Sequence, residues 1–136
     1  IASETDDGFG SSMMENDAFK NKIASLEIDL EAIEYAELRT LASVSAGKAP
    51  GPESSILKIV GTELAQRIDE AFVELAAYHC LPFVPDQFED GFQGDYISPG
   101  NSASAALTYF NNRKATIYGG SNEIQRNIIC KAVLGL

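Results

Sequence analysis

Apolar residues recur every three or four positions in the first half of the chain. Between Asp17 and Ala46 this spacing predicts one long α-helix, because such a repeat places the apolar side chains on one helical face. Asn16 is predicted to cap its start and Gly47 to follow its end. The apolar face comprises Phe19, Ile23, Leu26, Leu30, Ile33, Leu38, Leu41 and Val44.

A second apolar repeat predicts a helix from about Glu53 to Tyr78. Pro52 lies at its start, where proline is tolerated, and Pro82 lies beyond its end. Gly61 lies inside this helix, where glycine costs about 1 kcal/mol relative to alanine. We therefore expect a close helix crossing at Gly61. The apolar face comprises Ile56, Leu57, Val60, Leu64, Ile68, Phe72 and Leu75.

Residues 81–100 lose the helical repeat. The segment contains three prolines and three glycines, together with the aromatic residues Phe83, Phe88, Phe92 and Tyr96. A structureless stretch of about twenty residues is unusual in a compact domain. We therefore predict a long loop that packs against the helices through its aromatic side chains.

Helical spacing returns near Asn101 and is interrupted by the glycine pair Gly119 and Gly120. Ser121 or Asn122 is predicted to cap a final helix, because short polar side chains accept hydrogen bonds from first-turn N–H groups. Alternating strand patterns are not found along the sequence. The sequence therefore predicts an all-α fold, an antiparallel four-helix bundle.

Length and charge narrow the classes of function. The 136 residues suit one domain, and the net charge of −10 argues against binding to nucleic acid or to an anionic membrane surface. No apolar run reaches the ~18 residues that suggest a membrane span. Residues 100–136 nevertheless hold one acid and four bases. We therefore expect any anionic small ligand to bind in this last third of the chain.

Familiar catalytic and metal-binding arrangements have little support. His79 is the single histidine, and its side chain diverges from that of Cys80 on a helix, so a packing role is favoured over catalysis. Cys80 and Cys130 have no CxxC spacing, which favours small buried thiols over a disulfide or a metal pair. No metal site is predicted.

The segment from Ile117 to Arg126 is the strongest candidate site. Its two glycines permit positive φ angles and a close approach of a ligand to the backbone. The helix that follows offers free N–H groups to an anion. Two interpretations remain open here: a site for phosphate or a carbonyl oxygen, and a plain tight turn before a capped helix.

The last residues of the chain resemble a known family. Residues 109–136, YFNNRKATIYGGSNEIQRNIICKAVLGL, are similar to the C-terminal signature IYGGTNEIQRNII…LGL of the acyl-CoA dehydrogenases. Upstream, ENDAFKNKIASLEIDLEAIEYAELRTL resembles the first long helix of that family's C-terminal domain. SSILKIVGTELAQRIDEAFVEL resembles a later helix of the same domain. The resemblance covers most of residues 13–136.

This resemblance implies a flavoenzyme with an N-terminal helical domain, a middle β domain and a C-terminal four-helix bundle. We expect residues 1–12 to be a flexible N-terminal extension, and residues 13–136 to be the C-terminal helical-bundle domain of a longer flavoenzyme. The first residue, Ile1 rather than Met, agrees with this expectation. The implied cofactor of the full-length protein is FAD, and the implied reaction is α,β-dehydrogenation of acyl-CoA thioesters.

The resemblance also implies roles for individual residues. In many members the residue after the motif's tyrosine is the glutamate base, but this chain has Gly119 there, and glycine cannot act as a base. No catalytic residue is therefore assigned, and the chain alone is expected to be inactive. Gly120 matches the position whose backbone lies against substrate. Ser121, Asn122 and Glu123 match the stretch that contacts FAD.

Gly119 leaves two main hypotheses. The leading one is the FAD- and acyl-CoA-contacting domain of an acyl-CoA dehydrogenase of fatty acid metabolism, with electron-transfer flavoprotein as its partner. The alternative is a domain of a non-catalytic subunit that completes a partner's flavin site in a heteromeric enzyme. A plain helical interaction module without flavin is disfavoured. The resemblance further implies a homotetramer or heteromer, located in a bacterial cytoplasm or in the mitochondrial matrix of a eukaryote.

Overall fold

The computed structural model describes residues 2–6, 10–95 and 103–135, and in these ranges the regular elements are helical. Apart from one isolated antiparallel bridge between Asp6 and Ser12, the described residues form no β-structure. The prediction of an all-α fold with four helices is confirmed. The helices are α1 (Asp17–Ser45), α2 (Glu53–Ala76), α3 (Ala105–Asn112) and α4 (Asn122–Ile129).

Helices α3 and α4 are short, with eight residues each. Isolated helices of this length are marginal in water, so both depend on packing against the longer helices. No helix among the described residues is long and apolar enough to span a membrane. Short 3-10 turns cover Met13–Glu15, Ala77–Cys80, Pro85–Phe88 and Arg113–Thr116, and one π-helical turn, Cys130–Leu134, extends α4.

Local hydrogen bonds account for the ends of α1. The Asn16 side-chain oxygen accepts from the N–H groups of Ala18 and Phe19, at 3.0 and 3.1 Å. Gly47, just beyond the helix, adopts a φ of +83°, which glycine reaches without steric cost. The predicted cap at Asn16 and the predicted stop at Gly47 are both confirmed.

Helix α2 ends two residues before the predicted Tyr78. The backbone of Ala77 turns to a φ of +45°, which is rare for a residue with a Cβ atom and breaks the α-helical hydrogen-bond pattern. The chain then tightens into the 3-10 turn Ala77–Cys80, where the Cys80 thiol donates to the carbonyl oxygen of Ala77 at 3.1 Å. The helix therefore ends two residues short of the predicted position, and the apolar repeat does not report this change of backbone conformation.

Helix α2 is the centre of the fold, and α1 runs antiparallel to it along one side. Leu26, Leu64 and Ala71 form a buried cluster between the two helices. Ion pairs border this contact. Arg67 lies 2.5 Å from the Asp29 carboxylate, and Lys22 pairs with Glu74. The pairing of early α1 residues with late α2 residues gives the antiparallel direction.

The nearly opposite side of α2 receives α3 and α4. Ala105 of α3 is buried against Ala76 and Cys80. Further along, Asn112 donates to the carboxylate of Asp69 at 2.8 Å, and Asp69 is itself buried. Small side chains thus bring α3 close to α2 at one end, and hydrogen bonds hold it at the other.

The loop after α2 packs less than expected. Phe83 and Phe88 are 68% and 48% exposed, so the prediction of packing is wrong for these two side chains, whereas Phe92 is half-buried. The 3-10 turn Pro85–Phe88 buries Gln87 instead. Tyr96 lies outside the described residues.

The two cysteines have different surroundings. Both thiols are free, and Cys80 is buried as predicted. Cys130 is exposed, so the prediction of a buried thiol is wrong there, because the π-helical turn that it begins buries none of its residues.

The described part of the N-terminal segment folds back on itself. The N–H of Met13 donates to the carbonyl oxygen of Thr5 at 2.9 Å, and the Ser12 hydroxyl donates to that of Ala2 at 3.2 Å. The flexibility of residues 1–12 remains a prediction.

The crossing at Gly61 is looser than expected. A Cβ atom added at Gly61 would lie 3.7 Å from Cδ1 of Ile33, an ordinary van der Waals distance. A Cβ atom would therefore fit at Gly61. We predict that Gly61→Ala raises the free energy of unfolding by about 0.5–1 kcal/mol, because alanine is the better helix former. Urea unfolding followed by circular dichroism measures the change.

Gly47→Ala is the matched control for this substitution. Open space surrounds Gly47, but its positive φ disfavours a Cβ atom, so the same change should destabilise by about 1 kcal/mol. A loss of stability in Gly61→Ala comparable to that in Gly47→Ala would contradict the prediction.

Candidate functional site

The glycine pair forms a tight turn between the 3-10 turn Arg113–Thr116 and helix α4. Gly119 and Gly120 both have positive φ angles, +65° and +83°. The N–H groups of Ile117 and Tyr118 donate to the carbonyl oxygen of Lys114 at 2.9 and 3.1 Å. Glycine is needed here because two successive left-handed residues would be strained with side chains.

The two glycines face different surroundings. A Cβ atom at Gly119 would meet nothing within 4 Å, whereas one at Gly120 would lie 2.9 Å from Nε2 of Gln125. That same amide donates to the carbonyl oxygen of Gly119 at 3.0 Å. The backbone of Gly119 is therefore open to an approaching molecule, while Gln125 covers one side of Gly120.

Ser121 caps α4. Its hydroxyl accepts from the N–H of Ile124 at 3.4 Å, so of the two predicted caps the structure selects Ser121. The pKa of the exposed Glu123 carboxyl is lowered, first by a hydrogen bond from its own backbone N–H and then by one from Ser121. Desolvation opposes these hydrogen bonds by raising the pKa, and the positive charges of Arg126 and Lys58 make smaller contributions that lower it. The start of α4 thus carries an ionised carboxylate.

Asn122 is buried and its side chain is directed at α2. Its amide oxygen accepts from Nζ of Lys58 at 2.7 Å and lies 3.4 Å from the Thr62 hydroxyl. Its amide nitrogen donates to Glu63 at 3.2 Å. Asn122 is only 3% exposed, and its hydrogen bonds hold the first turn of α4 against the first half of α2.

Lys58, Thr62 and Glu63 were not among the residues predicted from the sequence to belong to the site. Glu63 also accepts from Arg126 at 3.0 Å, so it contacts two residues of the α4 segment. The available signal was Lys58 itself, a cation within the apolar run of residues 56–60. Because the helical repeat puts Lys58 away from the predicted apolar face, this signal does not indicate a buried partner.

The basic residues around the turn are engaged within the chain. Arg113 pairs with Glu70 at 3.1 Å, donates to the backbone of Gln66, and lies over the ring of Tyr109 at 4.2 Å. Lys114 donates to Asn111 at 2.6 Å. The excess positive charge of this region therefore helps to hold the segment in place.

The histidine considered for catalysis does not lie at this turn. His79 is exposed and lies in the 3-10 turn after α2, at the end of that helix far from Lys58. Among the described residues, no three His, Cys, Asp or Glu side chains come together as a metal site requires.

The turn lies on an open surface flanked by apolar side chains. Ile117 is 65% exposed, Tyr118 60% and Ile124 51%. Exposed apolar groups beside an open glycine backbone are typical of a surface that a ligand or another part of an assembly covers.

Comparison with known proteins identifies the class to which this fold and turn belong. Residues 2–134 match the family described as acyl-CoA dehydrogenase, C-terminal domain. The match spans nearly the whole chain, so the chain belongs to the acyl-CoA dehydrogenase family, a family of oxidoreductases.

A particular relative is acyl-CoA dehydrogenase IpdE1 of Mycolicibacterium smegmatis. It is 71% identical to this chain over 46 residues. The alignment covers 34% of this chain and 12% of the relative, so the chain matches a small part of the relative's length. No solved structure gives a significant match to the chain.

The Glu123 carboxylate predicts a specific pH dependence. Its folded-state pKa lies below the ordinary value of 4.5, so its stabilising contribution is present above that value and is lost as the pH falls through the folded-state pKa. We predict that Glu123→Gln lowers the free energy of unfolding near neutral pH, and that the difference from wild type shrinks below pH 4.5. Urea unfolding from neutral pH to about pH 3 measures this.

Removal of the Ser121 hydroxyl provides the control. In a Ser121→Ala background the carboxylate loses one of its donors, so the effect of Glu123→Gln should be smaller. If the difference in the free energy of unfolding between Glu123→Gln and wild type stays constant over the whole pH range, the predicted pH dependence is contradicted.

Proposed function

We propose that the chain is the part of an FAD-dependent acyl-CoA dehydrogenase that contacts the cofactor and the acyl-CoA thioester. The proposed reaction is α,β-dehydrogenation of the thioester in fatty acid metabolism. The observation that carries the proposal is the open glycine turn leading into the first turn of α4, in a chain of this family. Bound FAD would supply the acceptor for the hydride that leaves the β-carbon.

The residues around the turn fit the hydroxyl-rich part of such a cofactor. The open side of Gly119 admits a ligand to the backbone, and Ser121 places a hydroxyl beside it. The Glu123 carboxylate occupies the helix terminus where an anion would otherwise bind, and it would repel phosphate. We therefore assign cofactor hydroxyl groups, rather than phosphate, to Ser121 and Glu123.

Asn122 and Gly120 would act through their backbones. The Asn122 amide is committed to Lys58 and Glu63, so its contact with FAD would use the backbone N–H at the helix start. Gly120 would offer its backbone to the thioester, on the side not covered by Gln125.

The catalytic base of the proposed reaction lies outside this chain. Gly119, at the position where many members carry the glutamate base, has no ionisable group. A base must reach the α-proton of the substrate within hydrogen-bond distance. We therefore place the base elsewhere in the full-length enzyme and expect the chain alone to be inactive.

The open surfaces support contacts with more protein. Leu38 and Leu41 of α1 are each 54% exposed, Phe110 is 71% exposed, and Val133 near the C terminus is 63% exposed. Large exposed apolar patches are typical of surfaces that contact other proteins. We therefore propose a homotetramer, with electron-transfer flavoprotein as the electron acceptor, and a cytoplasmic location by similarity to the bacterial relative.

Flavin binding and turnover test the leading proposal. The full-length protein should retain FAD through purification, seen by visible absorbance, and should reduce an electron acceptor when given an acyl-CoA. The 136-residue chain alone should show no turnover. One Glu→Gln change outside this chain should abolish turnover without releasing FAD. Turnover by the chain alone, or a full-length protein that neither binds FAD nor turns over in any assembly, would contradict the proposal.

Gly119 favours one alternative, a domain of a non-catalytic subunit that completes a partner's flavin site in a heteromeric acyl-CoA dehydrogenase. In that case the full-length protein should bind FAD and become active only when a second gene product is co-expressed and copurified. An active homotetramer formed without a second gene product would exclude this alternative.

A further inference from the structure

The ammonium group of Lys58 joins the two ends of the glycine turn. Its Nζ donates to the carbonyl oxygen of Thr116 at 3.2 Å and to the amide oxygen of Asn122 at 2.7 Å. Thr116 directly precedes residues 117–121, and Asn122 directly follows them. One side chain from α2 therefore bridges the start and the end of the turn.

The turn needs such a bridge because of its glycines. Gly119 and Gly120 have the largest backbone freedom of any residue type, so two in succession leave the turn poorly determined by local sterics. Contacts at both ends restrict the conformations that the intervening backbone adopts. The Lys58 contacts are charge-assisted, and hydrogen bonds of this kind are roughly twice as strong as neutral ones.

Other contacts near the turn do not bridge its two ends as Lys58 does: Thr62 and Glu63 reach Asn122, whereas Gln66 reaches the carbonyl oxygens of Asn112 and Arg113. The Gln125 amide that reaches Gly119 comes from α4 itself and moves with that helix. Arg126 and Glu63 pair across the interface, but their side chains are 54% and 49% exposed, and exposed ion pairs contribute little. Lys58 is half-buried and its acceptor Asn122 is buried.

We propose that Lys58 is a positioning residue for the candidate site. By holding Thr116 and Asn122 together, it fixes the backbone of Gly119 and Gly120 and the direction of the first-turn N–H groups of α4. The expected effect of Lys58 on ligand affinity rests on the proposed function, whereas its expected effect on the conformation of the turn does not.

Hydrogen exchange in the full-length protein tests the effect on the turn. Lys58→Met removes the ammonium and keeps the length of the side chain. We expect exchange in peptides covering residues 113–126 to become about tenfold faster, with no change in peptides covering residues 19–33 of α1. Lys58→Arg, which keeps the charge and the donors, should restore most of the protection.

Lys22→Met is the matched control. Lys22 belongs to α1 and also pairs with a residue of α2, Glu74, but this pair lies between α1 and α2, away from the turn. It should leave exchange in residues 113–126 unchanged. Unchanged exchange there in Lys58→Met, or equally faster exchange throughout the protein, would overturn the proposal. If Lys58→Met does not fold, Lys58→Gln replaces it, because its amide retains a donor for one of the two oxygens and a smaller effect is expected.

Flavin titration tests the effect on the site. In Lys58→Met the dissociation constant for FAD should rise about tenfold, and Lys58→Arg should lie closer to wild type. Faster exchange in the turn with unchanged FAD affinity would overturn the positioning role. If the wild-type protein itself fails to bind FAD, the proposed function fails. The hydrogen-exchange result then decides by itself whether Lys58 holds the two ends of the turn together.

Discussion

The hydrogen bonds along one face of α2 hold the C-terminal third of the protein in place. Asp69 binds Asn112, Gln66 binds the carbonyl oxygen of Asn112 at 2.9 Å, and Lys58 binds Asn122. Because several of these groups are buried, losing one partner would leave the other unpaired at a cost of about 1–3 kcal/mol. The two short C-terminal helices therefore take their positions from polar contacts as much as from apolar packing.

The apolar part of the structure is concentrated between α1 and α2. Leu26, Leu64 and Ala71 form its buried centre, while many large apolar side chains elsewhere stay exposed. Such exposed surfaces are consistent with a chain that belongs to the acyl-CoA dehydrogenase family and matches a small part of a relative's length. The fold thus combines a well-packed helical pair with faces suited to further contacts.

The charges around the glycine turn bear on the proposed contacts with a cofactor. Arg113 and Arg126 are paired with carboxylates of α2, and the ionised Glu123 stands at the start of α4. The net positive charge of residues 100–136 is therefore largely balanced by neighbours from α2. This balance favours recognition through backbone groups and hydroxyls over recognition of a free anion, which composition alone suggested.

The sequence by itself determined the long helices α1 and α2, the Asn16 cap and the glycine turn, because each depends on residues within a few positions of one another. The tertiary structure decided the rest. Lys58 meets Asn122 across 64 positions, and neither residue's local surroundings specify that contact. The room at Gly61 also depends on how α1 and α2 pack, since Ile33 of α1 is its neighbour. Local periodicity and capping are encoded in short segments, whereas the partner of a buried polar group is chosen only when distant helices come together.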